Sequence, residues 1–546
     1  MKSEYIYIDQ QLFKEMLIAG ANKLESNKEI VDSLNVFPVP DGDTGTNMSL
    51  TMQSAVKEIK KMKNGSLGEI ASSAAHGSLM GARGNSGVIL SQLLRGLASS
   101  VKDKEKINTR DLAKAIKMAS DTAYKAVMKP VEGTILTIAR ESADYALRIA
   151  QKEKNMLIFM EQVILHAKET LQKTPDMLKV LKEAGVVDSG GKGLIYIFEG
   201  ALEAISGQMI SAEDLDMVAG DVKVVDSDEH EDSNIKFGYC TEFIINTGIK
   251  NPDIEKLKDT MQVYGDSMLV VGSDELIKVH IHTNNPGQVL EEGLKLGYLQ
   301  DIKIDNMRLQ HRNLEDMENK ESTYNIPKKK YGFITVAKGK GLVDIFKDFD
   351  IDHVIEGGQT MNPSTEDFLK AIEDIEAETI IILPNNSNII MAANQVKEIS
   401  DKNIIVIPTK TIPQGIAALM AFNLENSPEE NEEEMNEIIK TVKTGEITYA
   451  VRDTSFNDIQ IKKDDILGIG DSEIQSVGKD IFKTTIDLLE RMVTEDSEII
   501  TVFYGEDIEE EEAEKLVEKI EEIYTECDVE LYYGGQPLYY YIISIE

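Results

Sequence analysis

Residues 35–52 read NVFPVPDGDTGTNMSLTM. Pro38 and Pro40 hold the approach extended. Asp41 and Asp43 then flank Gly42 in a tight turn, and a helix is predicted to start near Thr46. Two carboxylates in such a turn suit a hard cation. A calcium loop of the EF-hand type fits poorly, because Gly45 and Met52 fall where the fifth and twelfth positions need ligands. Magnesium takes one or two protein carboxylates plus substrate phosphates, and this loop offers that. The amides around Gly45 and Thr46, at a helix start, are placed to meet those phosphates. A plain Asp-Gly-Asp turn is the simpler alternative.

The flanking chain repeats the style. Residues 81–87, GARGNSG, place three glycines ahead of an apolar helix predicted over Val88–Leu97. Glycine lets backbone amides approach an anion, and the helix adds its positive end. The lysine of a P-loop is missing. Close packing of helices explains the same glycines equally well. Residues 187–193, VDSGGKG, form a third loop, with Glu132-Gly-Thr134 between. The segments around these loops read as helices: Leu112, Ile116, Ala119, Ala123 and Val127 line one helical face, and Lys129-Pro130 ends it. Several glycine-rich loops and a paired aspartate on an all-α domain suggest a nucleotide site outside the P-loop class.

The chain has 546 residues, with 58 basic side chains against 96 acidic ones and a net charge of −38. That length suggests about three to four domains. Such charge argues against nucleic acid, or an anionic membrane, held by the overall field. It leaves room for an anionic ligand, since a loop or a metal can overrule the global sign. Cys240 and Cys527 lack a disulfide framework, Met1–Gln10 lacks an apolar leader, and no apolar run is long enough to span a bilayer. A cytoplasmic protein without a membrane segment is expected.

Composition shifts after about residue 207. Residues 226–233, DSDEHEDS, read as a solvated linker, and Asn313–Lys330 as a second boundary. Between them Phe237–Asn246 and Met268–Thr283 look like strands. Within the second, Ile277, Val279 and Ile281 alternate with Lys278, His280 and His282, so both histidines share a face about 7 Å apart. Cys240 lies on the other strand, sharing its face with Glu242. One thiol and two imidazoles make a three-ligand zinc set, with water, Glu242 or a partner group as a fourth. Two exposed histidines and a buried thiol are the plainer alternative.

From Tyr331 the runs YGFITVA, DHVIEG, ETIIILP and NIIVIPT alternate with helical segments, the pattern of an α/β sheet. Gly357–Ser364 and Pro384–Asn388 are strand-to-helix loops, where such sheets bind ligands, although Ser364 and Asn388 are also natural N-caps. The tail is acidic, with 13 carboxylates and 2 lysines in Thr501–Glu530. It still carries a helical stripe (Ala513, Leu516, Ile520, Ile523) and ends in an aromatic strand, LYYGGQPLYYYIISI.

The loops around Asp41 and Asp43, Gly81–Gly87 and Val187–Gly193 resemble the DhaL-type ATP-binding domain of the dihydroxyacetone kinase family. The whole chain resembles the catalytic subunits of bacterial fatty acid kinases. The resemblance implies a multidomain fold: an all-α helical barrel over residues 1–207, an α+β middle domain over 208–325, and a DegV-like α/β domain over 326–546. It implies ATP held through two magnesium ions. Asn35, Asp41 and Asp43 would be metal ligands; Thr44, Gly45, Thr46, Asn47, Asn85 and Ser86 would cradle phosphates. Thr134, Asp188, Ser189 and Gly190 would sit by the sugar and base. Cys240, His280 and His282 would hold the zinc. Dihydroxyacetone kinases carry a third aspartate five residues before the pair, where this chain has Val36; Asn35 resembles the fatty acid kinase version. The implied reaction phosphorylates the carboxylate of a fatty acid on a separate DegV-type binding protein, giving acyl phosphate for phospholipid synthesis. Arg83 is the candidate transition-state cation, and a homodimer is the expected assembly. A small-polyol kinase and a non-enzymatic nucleotide- or zinc-dependent scaffold are the alternatives.

Overall fold

A computed structural model describes residues 7–35, 42–62, 65–127, 129–207, 239–247, 254–272, 276–306, 329–358, 361–456, 459–471 and 473–546. Asp41, the 226–233 linker and most of the 313–330 boundary lie outside the described residues. The chain divides into two compact units, residues 1–218 with 328–546, and residues 219–327.

In the first unit, residues 7–207 are helical: α1 (Gln10–Glu25), α2 (Lys28–Asp32), α3 (Thr44–Lys61), α4 (Leu67–Met80), α5 (Gly84–Val101), α6 (Thr109–Ala126), α7 (Ile135–Ile149), α8 (Met156–Leu171), α9 (Thr174–Met177), α10 (Lys179–Ala184) and α11 (Ser189–Ser206). The stripe expected on α6 is its buried face, with Leu112, Ile116, Ala119 and Ala123 inside. Asn108 and Asp111 close a capping box at its start, and the helix ends at Ala126, before the Lys-Pro pair. α5 lies against α6 at Gly96, where an added Cβ would stand 2.5 Å from the Met118 carbonyl oxygen and 2.6 Å from the Ala119 Cα. α3 begins at Thr44, two residues before the expected start.

The second unit is a four-stranded antiparallel sheet of order β2-β3-β1-β4, with β1 Tyr239–Thr247, β2 Gly265–Gly272, β3 Leu276–Thr283 and β4 Gly297–Asn306, plus helices Ile254–Met261 and Pro286–Leu294. The single run expected over Met268–Thr283 is therefore two strands and their connection, and β4 adds a strand that the pattern does not mark. Phe243, Ile245, Ile277, Val279 and Ile281 form its core. This is the α+β segment that the resemblance implies.

Residues 329–546 are α/β, as expected. β5 (Lys329–Ala337), β6 (His353–Glu356), β7 (Ala377–Leu383) and β8 (Asn403–Val406) form a parallel sheet of order β6-β5-β7-β8. β9 (Lys443–Tyr449), β10 (Thr454–Phe456), β11 (Ile459–Ile461), β12 (Ile466–Gly470), β13 (Glu473–Gly478), β14 (Ile499–Tyr504), β15 (Asp528–Tyr533) and β16 (Tyr541–Ile545) follow. All but the β10–β11 pair join a six-stranded sheet of order β13-β12-β9-β16-β14-β15. The acidic tail helix, Glu510–Ile523, buries Ala513, Leu516 and Ile520, whereas Ile523 is exposed. Among the described residues no helix is long and apolar enough to cross a membrane.

The glycine at 96 sets two effects against each other. Alanine gains about 1 kcal/mol of helix propensity, while overpacking two appressed backbones costs about 1–3 kcal/mol. Because the clash is with backbone, Gly96→Ala is expected to destabilise the full chain by about 1 kcal/mol or more in chemical denaturation; a more stable variant would refute the packing.

Candidate functional site

The site starts at the beginning of α3. Asp43 occupies the N-cap position, yet its side chain makes no capping bond. That duty falls to Asp32, at the end of α2. Its carboxylate accepts from the Gly45 amide (2.6 Å), the Thr46 amide (3.2 Å) and the Thr46 hydroxyl (2.8 Å). Burial raises Asp32 above the ordinary carboxylate value, and these bonds offset part of the rise. The Gly45 and Thr46 amides, expected to meet phosphates, thus already serve a carboxylate. The helix start, in turn, does not consume Asp43.

Asp43 is 8% exposed, and its Oδ2 accepts from Nδ2 of Asn362, 319 residues away in the α/β domain, at 2.5 Å. Asn35 Oδ1 accepts from the Thr44 hydroxyl (2.8 Å) and the Ser189 hydroxyl (3.4 Å), which ties the starts of α3 and α11 together. The Asn35 backbone carbonyl accepts from Arg452. Asp188 caps α11 through the Gly191 amide at 2.6 Å. Burial, only partly countered by the Gly191 and Ile135 amides, pushes its carboxyl up to about 6.

Asn35, Asp43, Thr44, Asp188 and Ser189 line one cavity of about 550 Å³, within the usual range for ligand sites; Asp32, Asn362 and Arg452 support it from outside the lining. From the helical part it brings together Asn35, Asp43, Thr44, Asn47, Asn85, Ser86, Asp188, Ser189 and Gly190. The opposite wall combines the carboxyl edge of the parallel sheet and its loops, including Lys338, Asn385, Asn386, Ser387 and Lys410, with Glu446 of β9, Ile469 of β12, and Tyr539 and Ile542 at β16. The sequence pattern marks Pro384–Asn388, which is there. It also marks Gly357–Ser364, the loop that holds Asn362, without singling that residue out, and it misses Asp32 and the two lysines. The two lysines carry one usable signal, since both stand just past predicted strands.

Other expected residues lie elsewhere. Thr134 stands at the N-cap position of α7 without capping it and without lining the cavity, its hydroxyl donating to the Val131 carbonyl (2.8 Å). Arg83 is also outside the lining: it donates to the Asn362 carbonyl (2.7 Å) and stands 3.5 Å from Asp367. A backbone bridge pairs Arg83 with Ser364, and Ala82 and Val88 belong to the core of the α/β domain. In the Gly81–Gly87 loop, added Cβ atoms at Gly81 and Gly87 would collide with Ser54 and Thr51 of α3, so the packing explanation holds for those two. Gly84 has φ +57° beside the Asn47 amide, a conformation that favours glycine. Ser364 is an N-cap closing a box with Asp367; Asn388 is not, and its Oδ1 instead accepts from Asn85 (3.4 Å).

The donor set suits a magnesium–phosphate ligand. It consists of hard oxygens, and two of them, Asn85 Oδ1 and Asn362 Oδ1, are buried with no hydrogen-bond partner among the described residues. An unmet buried polar atom costs about 1–3 kcal/mol. In the middle unit, Cys240 pairs with His282 and Glu242 with His280 across β1 and β3. The side chains of Cys240, Glu242 and His280 lie outside the described residues, and among those described there is no cluster of three metal-ligating side chains.

The helical part that carries these helix-start loops is of the DAK2 class: residues 38–203 match the DAK2 domain model. Residues 236–314 and 332–546 match the middle-domain and C-terminal models of FakA-like fatty acid kinase proteins. The chain is 45% identical to protein YloV of Bacillus subtilis over 548 residues, covering 99% of both chains. It is 44% identical to an uncharacterized protein of Staphylococcus aureus strain USA300 over 553 residues, with the same coverage. It belongs to the FakA-like family of fatty acid kinase proteins. Similar solved structures include a DegV family protein from Ruminococcus gnavus with vaccenic acid (14% identity, 40% of this chain, 99% of that one, TM-score 0.30). Another is the fatty acid kinase B3 protein of Streptococcus pneumoniae loaded with linoleic acid (15% identity, 34% and 76%, TM-score 0.27).

Asp188 carries a pH signature. Its folded value near 6 exceeds the ordinary 3.8, so the folded chain holds the proton more tightly than the unfolded chain does. The associated stability is complete below the lower value and is lost as pH rises through the upper one. Asp188→Asn keeps a cap acceptor without the charge. Between about pH 5 and about pH 7.5 the wild type is expected to lose about 1–1.5 kcal/mol relative to the variant, followed by ligand-free thermal melting. Parallel profiles would refute the assignment.

Proposed function

We propose that this chain is the ATP-dependent catalytic subunit of a fatty acid kinase. It transfers the γ-phosphoryl group of ATP to the carboxylate of a fatty acid carried by a separate DegV-type lipid-binding protein. The observation that carries this reading is the cavity in which Asn35, Asp43, Asn47, Asn85, Ser86 and Asp188 converge, on a chain of this family. One carboxylate oxygen of the acid attacks the γ-phosphorus, and the bond from that phosphorus to the bridging oxygen breaks. Acyl phosphate and ADP result. The acceptor is ionised at neutral pH, so no general base is required. What the protein must supply is alignment and compensation of charge.

Asp43, with Asn35 and Asp41, would hold magnesium, which when bound neutralises charge on the phosphates. Asn47, Asn85 and Ser86 orient the phosphates beside the start of α5. Asp188, Ser189 and Gly190 face the nucleoside end. Lys338 and Lys410 supply positive charge from the opposite wall. Arg83 acts through the loop it grips. In this reading residues 1–207 carry nucleotide and metal, 208–325 a structural zinc held by Cys240, His280 and His282, and 326–546 the docking face for the lipid carrier. The cross-strand pairing of Cys240 with His282 supports the zinc assignment. A cytoplasmic homodimer is the proposed working form.

With ATP and an acyl-loaded carrier, phosphate transfer is expected from the wild type and a loss of about 100-fold or more from Asp43→Asn. Transfer or ATP consumption independent of the loaded carrier would refute the substrate assignment. Purified protein is expected to contain stoichiometric zinc that Cys240→Ala loses, with ATP affinity unchanged; zinc retained in that variant would refute the ligand set.

A further inference from the structure

Asn362 is wholly buried, and its two amide atoms are treated differently. Nδ2 donates to Asp43 Oδ2, while Oδ1 has no hydrogen-bond partner among the described residues. Its backbone is gripped on both sides. The Arg83 guanidinium holds its carbonyl, the Arg83–Ser364 bridge follows, and the Thr365 amide donates to the Ala82 carbonyl at 3.3 Å. Residues 362–365 are thus delivered to a fixed place, where the buried Asn362 amide touches the one described carboxylate of the acidic turn. The Asn47 amide is adjacent, since an added Cβ at Gly84 would lie 2.5 Å from Asn47 Nδ2 and 3.4 Å from Asn362 Nδ2.

We propose that Asn362 is a cation ligand that the α/β domain supplies to the helical domain. The argument is one of exchange. An asparagine amide turns about its terminal torsion between two broad, nearly equivalent wells. As it stands, the N–H group compensates the Asp43 charge. Turned over, Oδ1 occupies the place of Nδ2, about 2.5 Å from Asp43 Oδ2. Neighbouring oxygens of an octahedral magnesium lie about 2.9 Å apart, given bonds of about 2.0–2.1 Å, so a small relaxation lets both share one ion. The same side chain therefore stands in for the cation before it arrives and joins its shell afterwards. This couples the metal site to docking of the α/β domain, and it rests on the reading of Asp43 as a metal carboxylate.

Manganese binding to the full chain, followed by loss of the free-ion electron paramagnetic resonance signal, tests the idea without any turnover. The wild type is expected to bind. Asn362→Ala is expected to bind about 10-fold or more weakly, the usual consequence of removing one member of a metal's shell. Asn362→Asp sets carboxylate against carboxylate, so its melting temperature should fall without manganese and rise with manganese by more than the wild type's. Unchanged or tighter binding in Asn362→Ala would overturn the proposal. If that variant does not fold, absence of manganese rescue in Asn362→Asp overturns it instead. A wild type that binds no manganese would refute the Asp43 reading itself, a separate failure.

Discussion

A carboxylate withdrawn from water must be compensated, and Asp43 is nearly withdrawn. Asp32 has taken the first amides of α3. Asn362, far along the chain, supplies one compensating partner. That contact requires residues 362–365 to be held in place. Arg83 grips the Asn362 carbonyl, and Ala82 and Val88 sink into the α/β core beside Phe368 and Ile389. The same contact ties the helical part to the C-terminal part within a single compact unit. A pair of separately folding domains would leave Asp43 facing water.

Much of this is legible from local pattern. The α6 stripe, the four strand runs of the parallel sheet and the alternation in β3 depend only on the period of a helix or a strand, so they hold in the structure. The convergence of Asn35, Asp43, Asn47, Asn85, Ser86 and Asp188 is only half legible in this way. Asp43, Asn85, Ser86 and Asp188 stand at helix starts, which small polar residues and glycines mark in sequence, whereas Asn35 and the meeting of all six come from the family resemblance.

The remainder depends on distance along the chain or on competition between neighbours. Asp32 looks like the solvated end of a short helix; nothing local says that it will outcompete Asp43 for the α3 amides. Asn362 lies in a strand-to-helix loop whose local reading is a ligand loop ending in a cap, and the cap at Ser364 is real. The contact to Asp43 spans 319 residues and leaves no periodic trace. Arg83 shows the same dependence on distant contacts. A cation in a glycine loop invites a catalytic role, but the chain places it against the Asn362 carbonyl and Asp367. Two glycines of that loop are explained by helix contact with Ser54 and Thr51, an alternative that spacing alone could not decide.

The net charge of −38 takes on a local meaning at the cavity. Its helical wall carries Asp43 and Asp188, and its opposite wall carries Glu446 together with Lys338 and Lys410. Much of the remaining acid is solvated, as on the exposed face of the tail helix. A partly buried field falls off slowly compared with screened surface charge, so two lysines and three acids in a cavity outweigh many distant carboxylates. Both signs meet on the sheet side, whereas the charged groups of the helical wall are both acids. The sign of a ligand at this cavity is therefore set by these few groups and any cation they recruit, and the net charge of the whole chain says little about it.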